Sequence, residues 1–392
     1  MKVLITDGNQ RSALATTRSF GSKKFTTWCG EYFFPFLSSM SKYCNKAFLY
    51  SNPFNSAKDF IYQLKRYAKE CFMLPMTDVT LSEVLKNKKI FLEQGSLIPF
   101  GNYEQFEIAS NKIKVFKISQ RLNISIPKTV FIYPFMKEKE IISQAEHIGF
   151  PLVIKPFKSW IKKGNKWKAF SVKYAFNLSD LKKYISFYKD IPFMIQEKIY
   201  GHGIGIFLLV KEGDILTYFS HKRIREKPPT GGVSTVCESI LPPKTAFEDA
   251  KRLVREIGLT GPVMIEFKND IKDRIPKLME INYRFWGSLS LSIECGIDFP
   301  YLTYLLATNQ RVKFHPYKIG KKLRWILGDL DHVLITLKQR QVSVKYKWKI
   351  IKRFILDFFN QSIYTDVLRL DDPCPFVLEF LMYMRSILKS IC

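Results

Sequence analysis

Two apolar runs, Val263-Met264-Ile265-Glu266-Phe267-Lys268 and Lys277-Leu278-Met279-Glu280-Ile281-Asn282, are joined by a short polar bend at Asn269–Arg274. Apolar and polar residues alternating in this way read as strands, and so short a link folds them back as a hairpin. Alternation sets Glu266 and Lys268 on one face of the first strand, and Glu280 and Asn282 on one face of the second. A hairpin symmetric about Asp273 puts Glu266 opposite Glu280, so that two carboxylates and an amide oxygen converge. Two buried carboxylates a few Å apart repel, and a shared proton, a cation or an arginine must compensate. Hard oxygen donors from few side chains, with positions left for water and phosphate, suit Mg²⁺ bound with a nucleotide. The same pair would suit a glycosidase acid and base, and glutamates on a solvent-facing sheet would look alike in sequence.

The chain begins as an α/β unit. A short apolar strand at Val3–Thr6 is followed by the turn Asp7-Gly8-Asn9 and a helix from Gln10 to about Phe20. Further helices are predicted near Ala57–Cys71 and Thr80–Leu85, which makes residues 1–105 a small α/β domain ending at the loop Gly95–Asn102. From 106 the pattern becomes α+β, with a helix at Ser110–Leu122, a strand at Ile126–Ile132, a helix at Glu138–Ile148 and the strand Phe150–Pro156. Strands at 169–174, 192–196, 204–210, 214–220, 263–268 and 277–282 imply much antiparallel sheet, in a domain reaching about 315. Residues 316–392 read as a basic, mainly helical extension. There Lys338, Arg340, Lys345, Lys347, Lys349, Lys352 and Arg353 crowd around Ile351, Phe354, Ile355 and Phe358 at helical spacing. This is a cationic amphipathic helix, which either packs on the preceding domain or makes peripheral contact with a membrane.

Composition removes several classes. With 46% hydrophobic residues and 33 Phe, 19 Tyr and 6 Trp, the chain is too apolar for disorder. Its seven cysteines, an odd and scattered set without a C-x-x-C pair, read as reduced thiols rather than a disulfide scaffold. Asp7 interrupts any signal-like apolar stretch, and no run approaches the ~18 residues of a membrane span, so a cytoplasmic protein is expected. The surplus of 62 Lys+Arg over 35 Asp+Glu gives a net charge of +27. Codon bias of an AT-rich genome would produce such a surplus, and so would a polyanionic partner. No phosphate loop G-x-x-x-x-G-K-[ST], H-E-x-x-H zinc motif or G-x-S-x-G elbow is present, and five scattered histidines do not form a zinc site.

Ordered along the chain are Asn111-Lys112, F-P-L-V-I-K-P ending at Lys155 and Pro156, I-Q-E-K-I around Gln196, Glu197, Lys198 and Ile199, R-I-R-E-K-P-P-T-G-G-V-S from Arg223, I-E-F-K, and M-E-I-N-Y-R-F-W-G-S-L. At these residues the sequence resembles the ATP-grasp superfamily over about 1–315, and its opening resembles the preceding domain of carboxylate–amine ligases related to the carbamoyl phosphate synthetase large chain. The resemblance implies a preceding α/β (Rossmann-like) domain and an α+β ATP-grasp domain of two lobes with antiparallel sheets that hold ATP between them. It implies that Lys112 and Lys155 contact the ATP phosphates, that Gln196–Ile199 form the hinge strand against adenine, and that Glu266, Glu280 and Asn282 hold Mg²⁺, with Mn²⁺ as a substitute. Arg284 would meet the transferring phosphoryl group, with Arg225 or Arg223 assisting it or binding an acidic substrate.

The segment 157–167 stands where the family covers the phosphates, with four lysines and two tryptophans in place of a glycine-rich loop. Gly203 stands where many members have a glutamate for the ribose hydroxyls, Asn111 replaces a common aspartate, and Tyr283 interrupts N-P-R. The implied activity is amide formation between a small-molecule carboxylate and an amine through an acyl phosphate, carried out without a protein nucleophile. Two alternatives accompany it: a phosphotransferase that stops at a phosphorylated product, and a non-catalytic basic protein that binds nucleic acid or anionic membrane. The acidic residues at the predicted site count against nucleic acid.

Overall fold

Strands β1 (Lys2–Ile5), β2 (Thr26–Glu31), β3 (Lys46–Leu49) and β4 (Cys71–Leu74) form a parallel sheet in the order β3-β2-β1-β4. The computed structural model describes residues 1–164 and 166–391; Asn165 and Cys392 lie outside the described residues. Six cysteines are described, and all are free thiols. Helices α1 (Arg11–Ser22), α2 (Ala57–Lys65) and α3 (Asp78–Lys86) follow β1, β3 and β4, and α4 (Lys88–Leu92), α5 (Tyr103–Ala109) and α6 (Lys112–Arg121) lead onward. The helix expected to reach Cys71 stops at Lys65, because Cys71-Phe72-Met73-Leu74 is buried along its whole length, as a strand between parallel neighbours requires. Asp7, at φ 55°, closes the turn after β1. Its carboxylate accepts from the Met76 and Thr77 amides at 3.0 and 3.1 Å and from the Thr80 hydroxyl at 2.6 Å, tying the β1 and β4 loops together.

A small lobe follows. Strands β5 (Thr129–Ile132), β6 (Leu152–Pro156), β9 (Lys173–Ala175) and β10 (Phe193–Glu197) pair antiparallel in the order β5-β10-β6-β9, and β7 (Trp160–Lys163) and β8 (Lys166–Ala169) form a separate hairpin. Helices α7 (Glu138–Ile148) and α8 (Leu178–Tyr188) cover one face of this sheet, and the lobe has its own core around Ile154, Leu181, Tyr188 and Ile195.

The remaining strands build a seven-stranded sheet in the order β15-β14-β11-β12-β13-β16-β17. They are β11 (Gly201–Lys211), β12 (Asp214–Lys227), β13 (Val233–Ser239), β14 (Gly261–Asp270), β15 (Pro276–Asn282), β16 (Lys322–Arg324) and β17 (Ile363–Thr365). Its apolar residues merge with those of the preceding α/β unit into two shared cores. Helix α9 (Lys244–Ile257) packs its buried stripe of Ala246, Ala250, Leu253 and Val254 into one of them. Helices α10 (Leu289–Glu294) and α11 (Phe299–Ala307) join the other. The parallel unit and the large sheet thus share a continuous interior, whereas the small lobe keeps a core of its own and touches theirs through Met194, Phe131 and Phe157.

The C-terminal extension holds α12 (Ile326–Lys338), α13 (Val344–Leu356) and α14 (Cys374–Ile391), as its composition predicts, but it also contributes β16 and β17 to the large sheet. Three-residue strands carry too little periodicity to be legible in sequence. Buried ion pairs fasten the extension. The Arg18 guanidinium lies 2.9 Å from Asp372 and donates to the Asp366 and Val367 carbonyls, and Asp329, fully buried, is 2.6 Å from Arg225 on β12. No described helix is long and apolar enough to cross a membrane.

Candidate active site

Between the small lobe and the large sheet lies a cleft of about 410 Å³. The small lobe presents Val153 and Lys155 from β6, Tyr174 from β9, and Gln196 and Glu197 at the end of β10, followed by Lys198 and Ile199. The large sheet presents Gly203, His221, Arg223 and Glu226, Met264, Glu266 and Lys268, then Met279, Glu280 and Asn282.

Register places the acids. Glu266 pairs with Glu280 and Met264 with Asn282, as the hairpin symmetry predicts, and a bulge at Met279 shifts the ladder by one beyond that point. Each carboxylate has a different cation. Glu266 forms an ion pair with Arg223, which also lies 2.9 Å from Glu226 and donates to the Gly232 carbonyl at 2.9 Å. Glu280 lies 3.3 Å from the Lys112 ammonium and accepts from the Asn282 amide at 3.0 Å. Burial pushes both carboxyls up. At Glu266 burial and the neighbouring Glu280 prevail over Arg223, whereas at Glu280 Lys112, Asn282, Lys155 and Arg223 outweigh burial and hold it below the usual range. Both carboxylates are therefore balanced by positive charge drawn from other elements, the compensation a divalent cation would also supply. Among the described residues no cluster of three or more His, Cys, Asp or Glu forms a metal cage. An ion here would be held by two carboxylates and an amide oxygen, with positions left over for water or phosphate.

Lys155 ends β6 with its ammonium 3.9 Å from the Met279 sulfur. Burial lowers it to about 8, with Glu280 and Glu266 holding it up against Lys112 and Lys268. Lys112, at the N-terminus of α6, reaches Glu280 from behind and also donates to the Ser159 hydroxyl at 3.2 Å. Glu197 accepts from the Lys128 amide at 2.9 Å, closing the end of β10 onto the segment before β5. Gln196 is almost fully buried and donates to Thr129, and its carbonyl oxygen has no partner among the described residues.

A family model described as ATP-grasp in the biosynthetic pathway with Ter operon matches residues 190–326, the stretch that carries the large-sheet wall of the cleft. Solved structures align over most of the chain. N5-carboxyaminoimidazole synthetase from Staphylococcus aureus, alone and with ADP, shares 13% identity at a TM-score of 0.62, over 82% of this chain and 80% of that one. The biotin carboxylase domain of Hydrogenobacter thermophilus 2-oxoglutarate carboxylase, in a complex with MgADP and bicarbonate, shares 14% at 0.61, over 82% and 73%. An L-amino acid ligase from Bacillus licheniformis shares 15% at 0.57, over 78% and 73%. This is an ATP-grasp fold. Comparison with curated protein sequences matches none.

Relative to the ATP-grasp expectation, one residue is displaced. Arg225 does not reach the cleft. It lies buried on the other side of β12, 2.6 and 2.9 Å from the two Asp329 oxygens and 2.5 Å from Asp357. Strict alternation would put Arg223 and Arg225 on one face, but the β12–β13 ladder steps from Arg223↔Cys237 to Arg225↔Val236, a bulge that turns the strand over. Arg223 and Glu226 face the cleft instead. Arg284 does line it, but its guanidinium is 3.2 Å from Asp78 at the start of α3 and 3.3 Å from the Asn282 oxygen.

The expected covering segment lies beside Lys112 and Asn282, with Ser159, Trp160 and Trp167 lining a small pocket with them, and its outer side is anchored. The β7–β8 hairpin is tied to the preceding α/β unit: Lys158 is 2.7 Å from Glu107, Lys162 is 3.0 Å from Glu83, and Trp160 packs on Phe54 in a tilted arrangement with ring centroids 4.6 Å apart. Within the expected segment, Asn165 lies outside the described residues. Gly203 lines the cleft where a side chain has little room, since a Cβ there would meet Arg223 Cδ at 2.8 Å.

Sequence reasoning assigned no role to His221, Trp286, Ser288 or Arg11, which line the same cleft. The His221 Nε2 and Trp286 Nε1 atoms are buried without a hydrogen-bond partner among the described residues. Burial and nearby Arg223 push His221 down to about 3, so its ring is neutral. A signal for Trp286 was present: Glu280, Asn282, Arg284 and Trp286 recur at a period of two, and all four line the cleft.

Proposed function

We propose that this protein is an ATP- and Mg²⁺-dependent ligase that joins a small-molecule carboxylate to an amine, acting in the cytoplasm, where its free thiols stay reduced. The observation that carries the reading is the facing pair Glu266 and Glu280, set in one cleft with Lys155, Arg223 and Arg284 and backed by Lys112. The relatives solved with ADP or MgADP share this fold and support the nucleotide.

In this reading Lys155 and Lys112 neutralise phosphate oxygens, and the segment Gln196–Ile199 carries the base, the free Gln196 oxygen accepting from an amino group. Glu266, Glu280 and Asn282 would hold Mg²⁺, or Mn²⁺ in its place, which supplies charge neutralisation at the phosphates. Arg284 would meet the transferring phosphoryl group, and of the two arginines expected to assist it, Arg223 rather than Arg225 flanks the position of the substrate carboxylate. A carboxylate oxygen attacks the γ-phosphorus, the bond to the β–γ bridging oxygen breaks, and ADP leaves. The amine nitrogen then attacks the acyl carbon, the C–O bond to phosphate breaks, and the proton lost from nitrogen departs with phosphate. Catalysis of this kind needs alignment and charge compensation rather than a protein nucleophile, and a closed cleft to exclude water.

The test is an ADP-release screen over pairs of amino acids and uronic acids with amines, with product identification, run on wild type and Glu280→Gln. An amide formed with stoichiometric ADP and phosphate is expected, and Glu280→Gln should lose about 10²–10³-fold in rate. A stable phosphoester would convert the reading to phosphotransfer, and a rate indifferent to Glu280→Gln would remove it.

A further inference from the structure

The C-terminal extension leaves apolar surface that its own packing does not use. On α13 the only buried residue among those described is Ile350. Val344, Trp348 and Ile355, continued by Phe359 just beyond the helix, recur at spacings of four, seven and four on one face, and all are exposed, Trp348 by 66% and Phe359 by 79%. Beside this stripe, one helical step round, stand Lys345, Lys349, Lys352 and Arg353, all exposed. Between Lys338 and Leu356 there are seven basic residues and no acidic one. Helix α14 repeats the pattern with Val377, Phe380, Leu381, Met384 and Leu388 exposed, and Arg385 and Lys389 flanking.

A helix anchored by one face ordinarily turns polar residues outward. Here the outward face is aromatic and aliphatic, with cationic stems alongside that can bury their methylenes while keeping the charge at a polar boundary. A second copy of the chain would cover apolar residues too, but it would oppose one cationic row with another in a protein of net charge +27. An anionic lipid surface satisfies both features at once, apolar residues entering the acyl boundary and lysines meeting headgroup charge.

We propose that α13 is a peripheral docking surface for anionic lipid bilayers. It is independent of the chemistry in the cleft. Lys347, whose ammonium donates to the Leu337 carbonyl at 2.8 Å, belongs to the helix anchor and not to this surface.

The experiment is flotation of the full chain with phosphatidylcholine vesicles, and with vesicles in which about 30% is phosphatidylglycerol, at low and at about 0.5 M salt. Binding at least about tenfold stronger to the anionic vesicles is expected, largely lost at high salt. Two variants separate the contributions: Trp348→Ser with Phe359→Ser, and Lys345→Glu with Lys349→Glu and Lys352→Glu. Each should weaken binding about tenfold while leaving the unfolding midpoint and ADP release unchanged. Absence of vesicle binding overturns the proposal, as does equal binding to neutral vesicles. A wild-type dimer that the serine variant dissociates would assign the stripe to a second copy instead. Binding to a DNA duplex that the charge reversals abolish and the serine variant leaves intact, with none to vesicles, would assign it to nucleic acid.

Discussion

Glu266 and Glu280 stand opposite one another on the β14–β15 ladder, yet they take their positive charge from opposite directions, Glu266 from Arg223 on β12 and Glu280 from Lys112 on α6. The Arg223 guanidinium therefore stands where a divalent ion would compete for Glu266. Removing it exposes two facing carboxylates to their mutual repulsion. Arg223→Met should lower the unfolding midpoint in the absence of divalent ions and show a larger Mg²⁺-induced rise than wild type. Thermal unfolding across a Mg²⁺ titration without nucleotide reads both, and an unchanged Mg²⁺ response would show that the arginine does not compete.

Arg225 and Arg223 are two residues apart and should behave oppositely. The Arg225 guanidinium is buried against Asp329, which is itself fully enclosed and shared with Arg324. Taking away one partner of such a pair strands charge in the interior and costs about 3–5 kcal/mol. Arg225→Ala should lose stability on that scale in urea unfolding, and the folded fraction should bind nucleotide as wild type does. Weakened nucleotide binding at unchanged stability would return Arg225 to the cleft.

That contrast marks where the sequence is legible. The hairpin carrying Glu266, Glu280 and Asn282 has a bulge at Met279, yet Glu266 and Glu280 keep the facing positions that symmetry about Asp273 predicts. The β12 arginines do not, because a bulge between residues 223 and 225 inverts the face, and nothing in R-I-R-E announces the inserted residue. The anchoring of the β7–β8 hairpin is illegible in sequence for a related reason. Its lysines look free in sequence, but their partners Glu83 and Glu107 come from a distant part of the chain. The short strands β16 and β17 are held by pairing with β13 and with one another rather than by any pattern of their own.

Lys155 gives the cleft a pH dependence. The charged and titratable groups facing it are Glu280, Lys112, Glu266 and Lys268, and with burial they leave its folded-state value at about 8, below the ordinary lysine value. Phosphate binding requires the protonated amine, so affinity is full below 8 and falls as pH rises through it. If bound nucleotide restores an ordinary value, affinity weakens about tenfold between pH 7 and 9. Titration calorimetry in buffers of different ionisation enthalpy should show proton uptake on binding near pH 8.5. Lys155→Arg should flatten the profile, and a profile that stays as steep in that variant would assign the titration to another group.

Trp286 lies on the alternating series of cleft residues from Glu280, and its indole N–H is buried with no partner among the described residues, while its ring packs on Phe207 and Phe299 at centroid distances of 4.4 and 5.0 Å. An unpaired buried donor is costly unless something bound supplies the acceptor. The apolar ring contacts would be kept largely by phenylalanine, so Trp286→Phe separates the hydrogen bond from the packing. The expected result is a KM for the carboxylate substrate raised about 3- to 10-fold, the worth of one hydrogen bond, with KM for ATP unchanged. Loss confined to stability, with both KM values intact, would make Trp286 a core residue that merely borders the cleft.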